Sequence, residues 1–311
     1  MDKNSRIFVA GHRGLVGSAI VRNLKLKDYK NLIVRTRAEL DLFNFDAVKQ
    51  FLLKEKPEVV IDAAAKTGGI KESMLHHAEF LYENLLLQNS LIWASKEVGI
   101  KKFVFLGSSC IYPGNSKQPM KEEYFMTGKQ EPTNEGYSIA KIAGMKLCEY
   151  IYDQFGLDYI SCMPTNIYGP GDDFNPETSH VIPSLIRRMH EATVNNSPEV
   201  VIWGTGDSRR EFLYVDDLAD AIVWLTENYN KNQFLNVGSG EEISIKMLAE
   251  TIKEMVGYNG KLVFDATKPD GMPRKLLDVS KLHKAGWHHK IKFEDGLKQT
   301  YEWYLSNRTL V

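Results

Sequence analysis

Two short stretches carry side chains that could do chemistry together. EGYSIAKIAG places Tyr137 and Lys141 four residues apart, and KFVFLGSSC ends an apolar run on Ser108, Ser109 and Cys110. A spacing of four is one helical turn, so the phenol and the ammonium share a face. A phenol ordinarily titrates near 10 and is a poor acid–base group at neutral pH. A fixed ammonium beside it is expected to stabilise the phenolate and bring the group nearer to working pH. The same Lys141 could hold a nicotinamide ribose. Ser108 or Ser109 could hydrogen-bond the carbonyl oxygen that Tyr137 serves. Cys110, one residue further on, has no part in that set and needs its own explanation.

The elements around these residues supply a frame. Short β-branched runs at 6–11, 31–36, 58–65, 102–108 and 158–166 alternate with helical stretches near 15–26, 45–55, 74–98 and 137–155. Near-continuous apolar strands separated by helices predict a parallel sheet covered on both faces. With right-handed crossovers this is an α/β, doubly wound (Rossmann) nucleotide-binding domain over 1–170. After about residue 170 the rhythm loosens into a smaller, interleaved α/β domain, mainly 171–311, with segments near 208–238 returning to the first. Residues 112–136 form a polar connection, long for a compact domain and placed directly after the serines and Cys110.

VAGHRGLVGSAI puts Gly11, Gly14 and Gly17 three apart, between the first strand and the first helix. Glycine permits the tight turn and lets a pyrophosphate approach the backbone amides at the helix start. A fold of this kind that prefers NAD carries an acidic residue about 20 residues after the glycines. Here that region reads VRTRAEL, with Arg35 and Arg37, and His12-Arg13 adds a cation inside the turn. Guanidinium groups match a ribose phosphate, so the expected cofactor is NADP(H).

Composition bounds the partners. The formal charge is −1 over 311 residues, so no global basic field points to nucleic acid. The three cysteines, Cys110, Cys148 and Cys162, lack paired spacing, which suits a reducing compartment and argues against a disulfide framework or a zinc site. The polar start MDKNSRIFVAG has no signal-peptide pattern, and no apolar run approaches the roughly 20 residues that span a bilayer. A cytoplasmic protein is expected.

Together with REFLYVDD at 210–217, these marks resemble the extended short-chain dehydrogenase/reductase family, from residue 6 to the C-terminal helix. Within it, GHRGLVGSAI, AAAKTGGI, GSSCIYP, EPTNEGYSIAKIAG, MPTNIYGP and SHVIP are similar to the branch that acts on GDP-4-keto-6-deoxy-D-mannose with NADPH. The resemblance implies inversion at sugar carbons 3 and 5 followed by reduction at carbon 4. Cys110 and His180 would be the proton-exchanging pair, and Ser108, Tyr137 and Lys141 would serve the carbonyl. Thiols near 8.5 and imidazoles near 6.5 suit that exchange. The cofactor would lie along Gly11, His12, Arg13, Gly14, Leu15, Val16 and Gly17, then Arg37, Asp41 and Leu42. It would continue along Leu106, Gly107, Ser109, Lys141, Pro164, Thr165, Asn166, Ile167 and His180. For the GDP moiety, Arg187, Arg188, Trp203, Arg209 and Arg210 are on offer. The resemblance favours Arg188, Trp203, Arg210 and, in PRKLLDVS, Asp278. It also implies a homodimer through two long helices, with 74–98 and 137–155 as candidates. A 4-epimerase or 4,6-dehydratase on the same scaffold is the alternative, although a dehydratase needs a carboxylate where Cys110 stands.

Overall fold

The computed structural model describes residues 1–268 and 270–307; residues 269 and 308–311 of the expected second domain lie outside these. The first half runs β1 (Ile7–Ala10), α1 (Leu15–Leu26), β2 (Leu32–Ile33), α2 (Phe45–Glu55) and β3 (Val59–Asp62), then α3 (Ile70–Leu75), α4 (His77–Glu97), β4 (Lys102–Leu106), α5 (Glu135–Phe155) and β5 (Asp158–Pro164). The strands form a parallel sheet in the order β2-β1-β3-β4-β5. β1 and β3 are buried at every position because helices cover both faces. Alternate residues sort the two layers. Ile7, Val9, Ile61 and Val104 pack with α1 on one face. Phe8, Ala10, Val60 and Phe105 pack with α2, α4 and α5 on the other.

The second half runs β6 (Asn166–Tyr168), α6 (Val181–Val194), β7 (Glu199–Trp203), β8 (Arg209–Tyr214), α7 (Val215–Asn228) and β9 (Leu235–Val237). It continues with β10 (Glu242–Ser244), α8 (Ile245–Val256), β11 (Lys261–Asp265), β12 (Arg274–Lys275), α9 (Ser280–Ala285) and α10 (Phe293–Asn307). β9 extends the main sheet beside β5, and α7 packs on α1. β6 leaves the main sheet to pair with β8, which also holds β10 and β12. β7 and β11 form a separate pair. α6, α8 and α10 close a third apolar cluster around Tyr168, Phe212 and Tyr214.

Two elements depart from expectation. The second strand is two residues long rather than six, because the backbone beyond Ile33 is drawn into other bonds. The Val34 carbonyl accepts from the Arg35 guanidinium at 2.8 Å, and the Thr36 N–H donates to the Glu39 carboxylate at 2.7 Å. The helix expected over 74–98 is two helices, broken at His76, where φ is −130° and ψ 39°.

Candidate active site

The strand order reverses between β1 and β3, so a crevice opens at the carboxyl ends of these strands, the place where such sheets take ligands. The glycine turn fits a dinucleotide here. Gly11 sits at φ +76°, and a Cβ on it would lie 2.7 Å from the Ala63 carbonyl oxygen. A Cβ on Gly17 would fall 2.1 Å from the Gly11 carbonyl oxygen, so turn and helix could not close. Gly14 caps α1 without a side-chain bond, and a Cβ there would meet only the Gly11 oxygen, at 3.5 Å. The first N–H groups of α1, Leu15 and Val16 among them, therefore start a helix with no acidic residue in its first turn, a setting that favours an anion.

The cations around this turn divide. Arg35 is committed to Glu55 and lies over the Phe51 ring, so it belongs to the packing of α2 and is not free for a phosphate. Arg37 is exposed and rests its guanidinium 4.8 Å from the Phe43 ring centroid. Glu39, held below the usual carboxylate range first by the N–H and hydroxyl of Thr36, also feels Arg35 and Arg13. The glycine turn and the end of β2 thus share one charged rim, with half-buried His12 and exposed Arg13 on it. The Asp41 carboxylate accepts from the Phe43 N–H, and Leu42 packs on the core. Leu106, Gly107 and Ser109 line the end of β4. Pro164 ends β5, the buried Thr165 donates its N–H to Val237, and Asn166 and Ile167 open β6. All of these lie at the strand ends that border the crevice.

Ser108, Cys110 and Tyr137 are brought together. Ser108 starts a 3₁₀ turn over Ser109–Ile111, and its hydroxyl accepts from the Cys110 N–H at 3.2 Å. The Ser138 hydroxyl donates to the Cys110 carbonyl at 2.8 Å, tying this turn to α5. Ser108 also stands beside the Tyr137 phenol. Burial and the neighbouring Cys110 push that phenol upward, and the Ser108 hydroxyl only partly opposes them. This corrects the expectation that Lys141 draws the phenol down. The Lys141 ammonium donates to the Leu106 carbonyl at 2.9 Å and lies 5.8 Å from the Tyr137 ring centroid. The pair does share a helix face, with one of the three ammonium donors given to the Leu106 carbonyl.

The Cys110 sulfur accepts from two groups that the sequence reading passed over. The Asn134 amide lies 3.1 Å away and the Lys275 ammonium 3.3 Å away. Lys275 arrives on β12, in register with Arg210 of β8. It also acts on His180, the exposed residue that precedes α6. Loss of hydration within the cleft lowers the His180 imidazole, and the Lys275 charge lowers it further against Asp173. Lys275 therefore links the thiol and the imidazole electrostatically. The Gly69 N–H bonds the Thr178 carbonyl at 2.9 Å and helps fix the approach to His180. The signal available in sequence was an ammonium three residues before Asp278 in PRKLLDVS.

The four residues expected at the GDP moiety separate into groups. Arg188 on α6 donates to the Val201 carbonyl on β7, the strand that ends at the exposed Trp203, with Lys268 5.6 Å from that indole. Arg210 donates to the Asp270 carbonyl at 3.2 Å; burial lowers its guanidinium, with Asp270 and Glu131 opposing. Asp278 accepts from the Ser280 N–H at 2.9 Å and faces Lys121 and Lys281.

With this geometry in place, relatives are informative. The model of the NAD dependent epimerase/dehydratase family matches residues 7–238. GDP-L-fucose synthase 1 of Arabidopsis thaliana is 56% identical, covering 98% of this chain and 95% of its own. GDP-L-fucose synthase of Escherichia coli strain K12 is 51% identical, covering 97% of each. A solved GDP-L-fucose synthetase from Naegleria fowleri bound to NADP is 29% identical with a TM-score of 0.92, covering 100% of this chain and 97% of its own.

Proposed function

Because the chain belongs to the NAD dependent epimerase/dehydratase family and, within it, to the GDP-L-fucose synthases, we propose that it makes GDP-L-fucose from GDP-4-keto-6-deoxy-D-mannose with NADPH. The observation that carries this reading is the meeting of Cys110 with Ser108, Tyr137 and Lys275, whose charge also acts on His180. A carbonyl at carbon 4 of the sugar acidifies the hydrogens on carbons 3 and 5. Each inversion needs a proton removed on one face of the resulting enolate and returned on the other. The Cys110 thiol, held by donors from Asn134 and Lys275, serves one face. The His180 imidazole, whose charged form is disfavoured by lost hydration and by Lys275, serves the other. Bound NADPH supplies the hydride that reduces carbon 4. Ser108 and Tyr137 hold the oxygen there, and the phenol, kept protonated by its burial, gives it the proton.

The glycine turn and Arg37 hold the dinucleotide, and Arg188, Trp203, Arg210 and Asp278 take the GDP portion, so residues 1–170 serve the cofactor and 171–311 chiefly the sugar nucleotide. Incubation with GDP-4-keto-6-deoxy-D-mannose and NADPH, followed by absorbance and product NMR, tests the reading. A product with unchanged configuration at carbons 3 and 5 would refute it. Lys275→Met keeps most of the unbranched side chain and removes the charge that acts on both sulfur and imidazole. It is expected to slow deuterium uptake from solvent at carbons 3 and 5 by about tenfold or more while leaving NADPH affinity unchanged. Uptake at the wild-type rate would remove Lys275 from the mechanism.

Two further features suit a cytoplasmic homodimer. No helix among the described residues is long and apolar enough to cross a membrane. α4 and α5 pack side by side, yet Tyr82 and Trp93 on one and Ile139 and Tyr150 on the other remain exposed. On each helix these residues lie eleven apart, three helical turns, and so form one stripe. A second copy placing the same two helices against them covers both stripes in a closed, twofold contact. Sedimentation at the mass of one chain at micromolar concentration would contradict this.

A further inference from the structure

Asp62 is the one acidic residue in the apolar run EVVIDAAA after its first position, and it ends β3 with 1% of its surface exposed. It stands in register between Ala10 of β1 and Phe105 of β4. Side chains alternate along a strand, so Asp62 shares the face of Val60, the face that α5 covers. Lys141 reaches down from α5 to that same place. Its ammonium lies 4.8 Å from the Phe105 ring centroid and donates to the carbonyl of the next residue, Leu106. One Asp62 oxygen accepts from the Ala64 N–H at 3.1 Å, and the other has no hydrogen-bond partner among the described residues. A buried carboxylate with a free oxygen is costly unless an opposite charge compensates it. The opposite charge present is Lys141, which is itself only 3% exposed.

We propose that Asp62 is a positioning residue, the buried counter-charge that keeps Lys141 protonated and aimed at the nicotinamide end of the crevice. The two groups act on one another in both directions. Burial pushes Lys141 down, and Asp62 followed by Cys162 of β5 opposes it. Burial pushes Asp62 up to about 6, with Lys141 and then the Ala64 N–H opposing. Cys148 of α5 also faces Asp62, but burial drives that thiol upward, so it stays neutral and contributes no charge near neutrality. Cys162, pushed up to about 12, is neutral as well. Above pH 6 the cluster therefore holds one carboxylate and one ammonium. Without the carboxylate, nothing in the cluster opposes the loss of the Lys141 proton as pH rises.

The proposal rests on Lys141 serving the reduction, so its test also reads Lys141 without turnover. In the full chain labelled with ¹³Cε-lysine, the Lys141 resonance is assigned by its absence in Lys141→Arg. The expected midpoint in Asp62→Asn lies below the wild-type one by about one pH unit or more, a tenfold change in proton occupancy. NADPH oxidation should follow. Rates should agree within about twofold near pH 6, where Asp62 is itself half protonated, and diverge by about tenfold at the alkaline end. Lys141→Met supplies the reciprocal reading if Asp62→Asn does not fold: the Asp62 carboxyl midpoint should then rise. Unchanged midpoints, or a loss of rate equal at every pH, overturn the proposal. A shifted Lys141 midpoint in a chain that turns over no GDP-keto sugar would sink the proposed function and leave this pairing standing.

Discussion

Cys110→Ser is expected to retain slow NADPH oxidation with the keto sugar while forming GDP-L-fucose about 10²- to 10⁴-fold more slowly, the range of a lost general acid–base group. The substitution keeps an acceptor of similar shape for Asn134 and Lys275, which lie 3.1 and 3.3 Å from the sulfur. It replaces a thiol with a hydroxyl, which as a class holds its proton far more tightly. The carbonyl machinery stays in place, since Lys141 bonds the Leu106 carbonyl and Ser108 the Cys110 N–H, neither through the sulfur. Product NMR is the check: the released sugar should keep its original configuration at carbons 3 and 5. Normal L-fuco product at the wild-type rate would remove Cys110 from the inversions.

Tyr137→Phe has the complementary signature. Loss of the phenol takes away both a hydrogen bond to the developing alkoxide and its proton source, so NADPH oxidation should fall by about 10²- to 10⁴-fold. Solvent deuterium should still enter carbons 3 and 5, because Cys110 and His180 remain. Burial raises the phenol rather than lowering it, and that direction suits a reduction, in which the tyrosine must arrive with its proton. Turnover within tenfold of wild type would show that another group supplies that proton.

What was legible in the sequence was local. Gly11, Gly14 and Gly17 declare a turn by spacing alone, and Tyr137 and Lys141 declare a common helix face. Arg35 and Arg37 look equivalent in VRTRAEL. Only the arrival of Glu55 from α2, twenty residues on, commits one of them to packing. Lys275 was hidden by distance: 165 residues separate it from Cys110, and the pairing of β12 with β8 delivers it. Asp62 drew no reading from the sequence, because the ammonium that explains a charge in this strand comes from a different element, α5. The state of the Tyr137 phenol depends on how deeply α5 and the 3₁₀ turn enclose it, a property of packing that no spacing encodes.

The most direct test is a single reaction in deuterium oxide with ordinary NADPH, read by NMR of the product. A thiol and an imidazole working on opposite faces before reduction predict GDP-L-fucose carrying deuterium at carbons 3 and 5 and protium at carbon 4. Protium retained at carbons 3 and 5 would contradict the account.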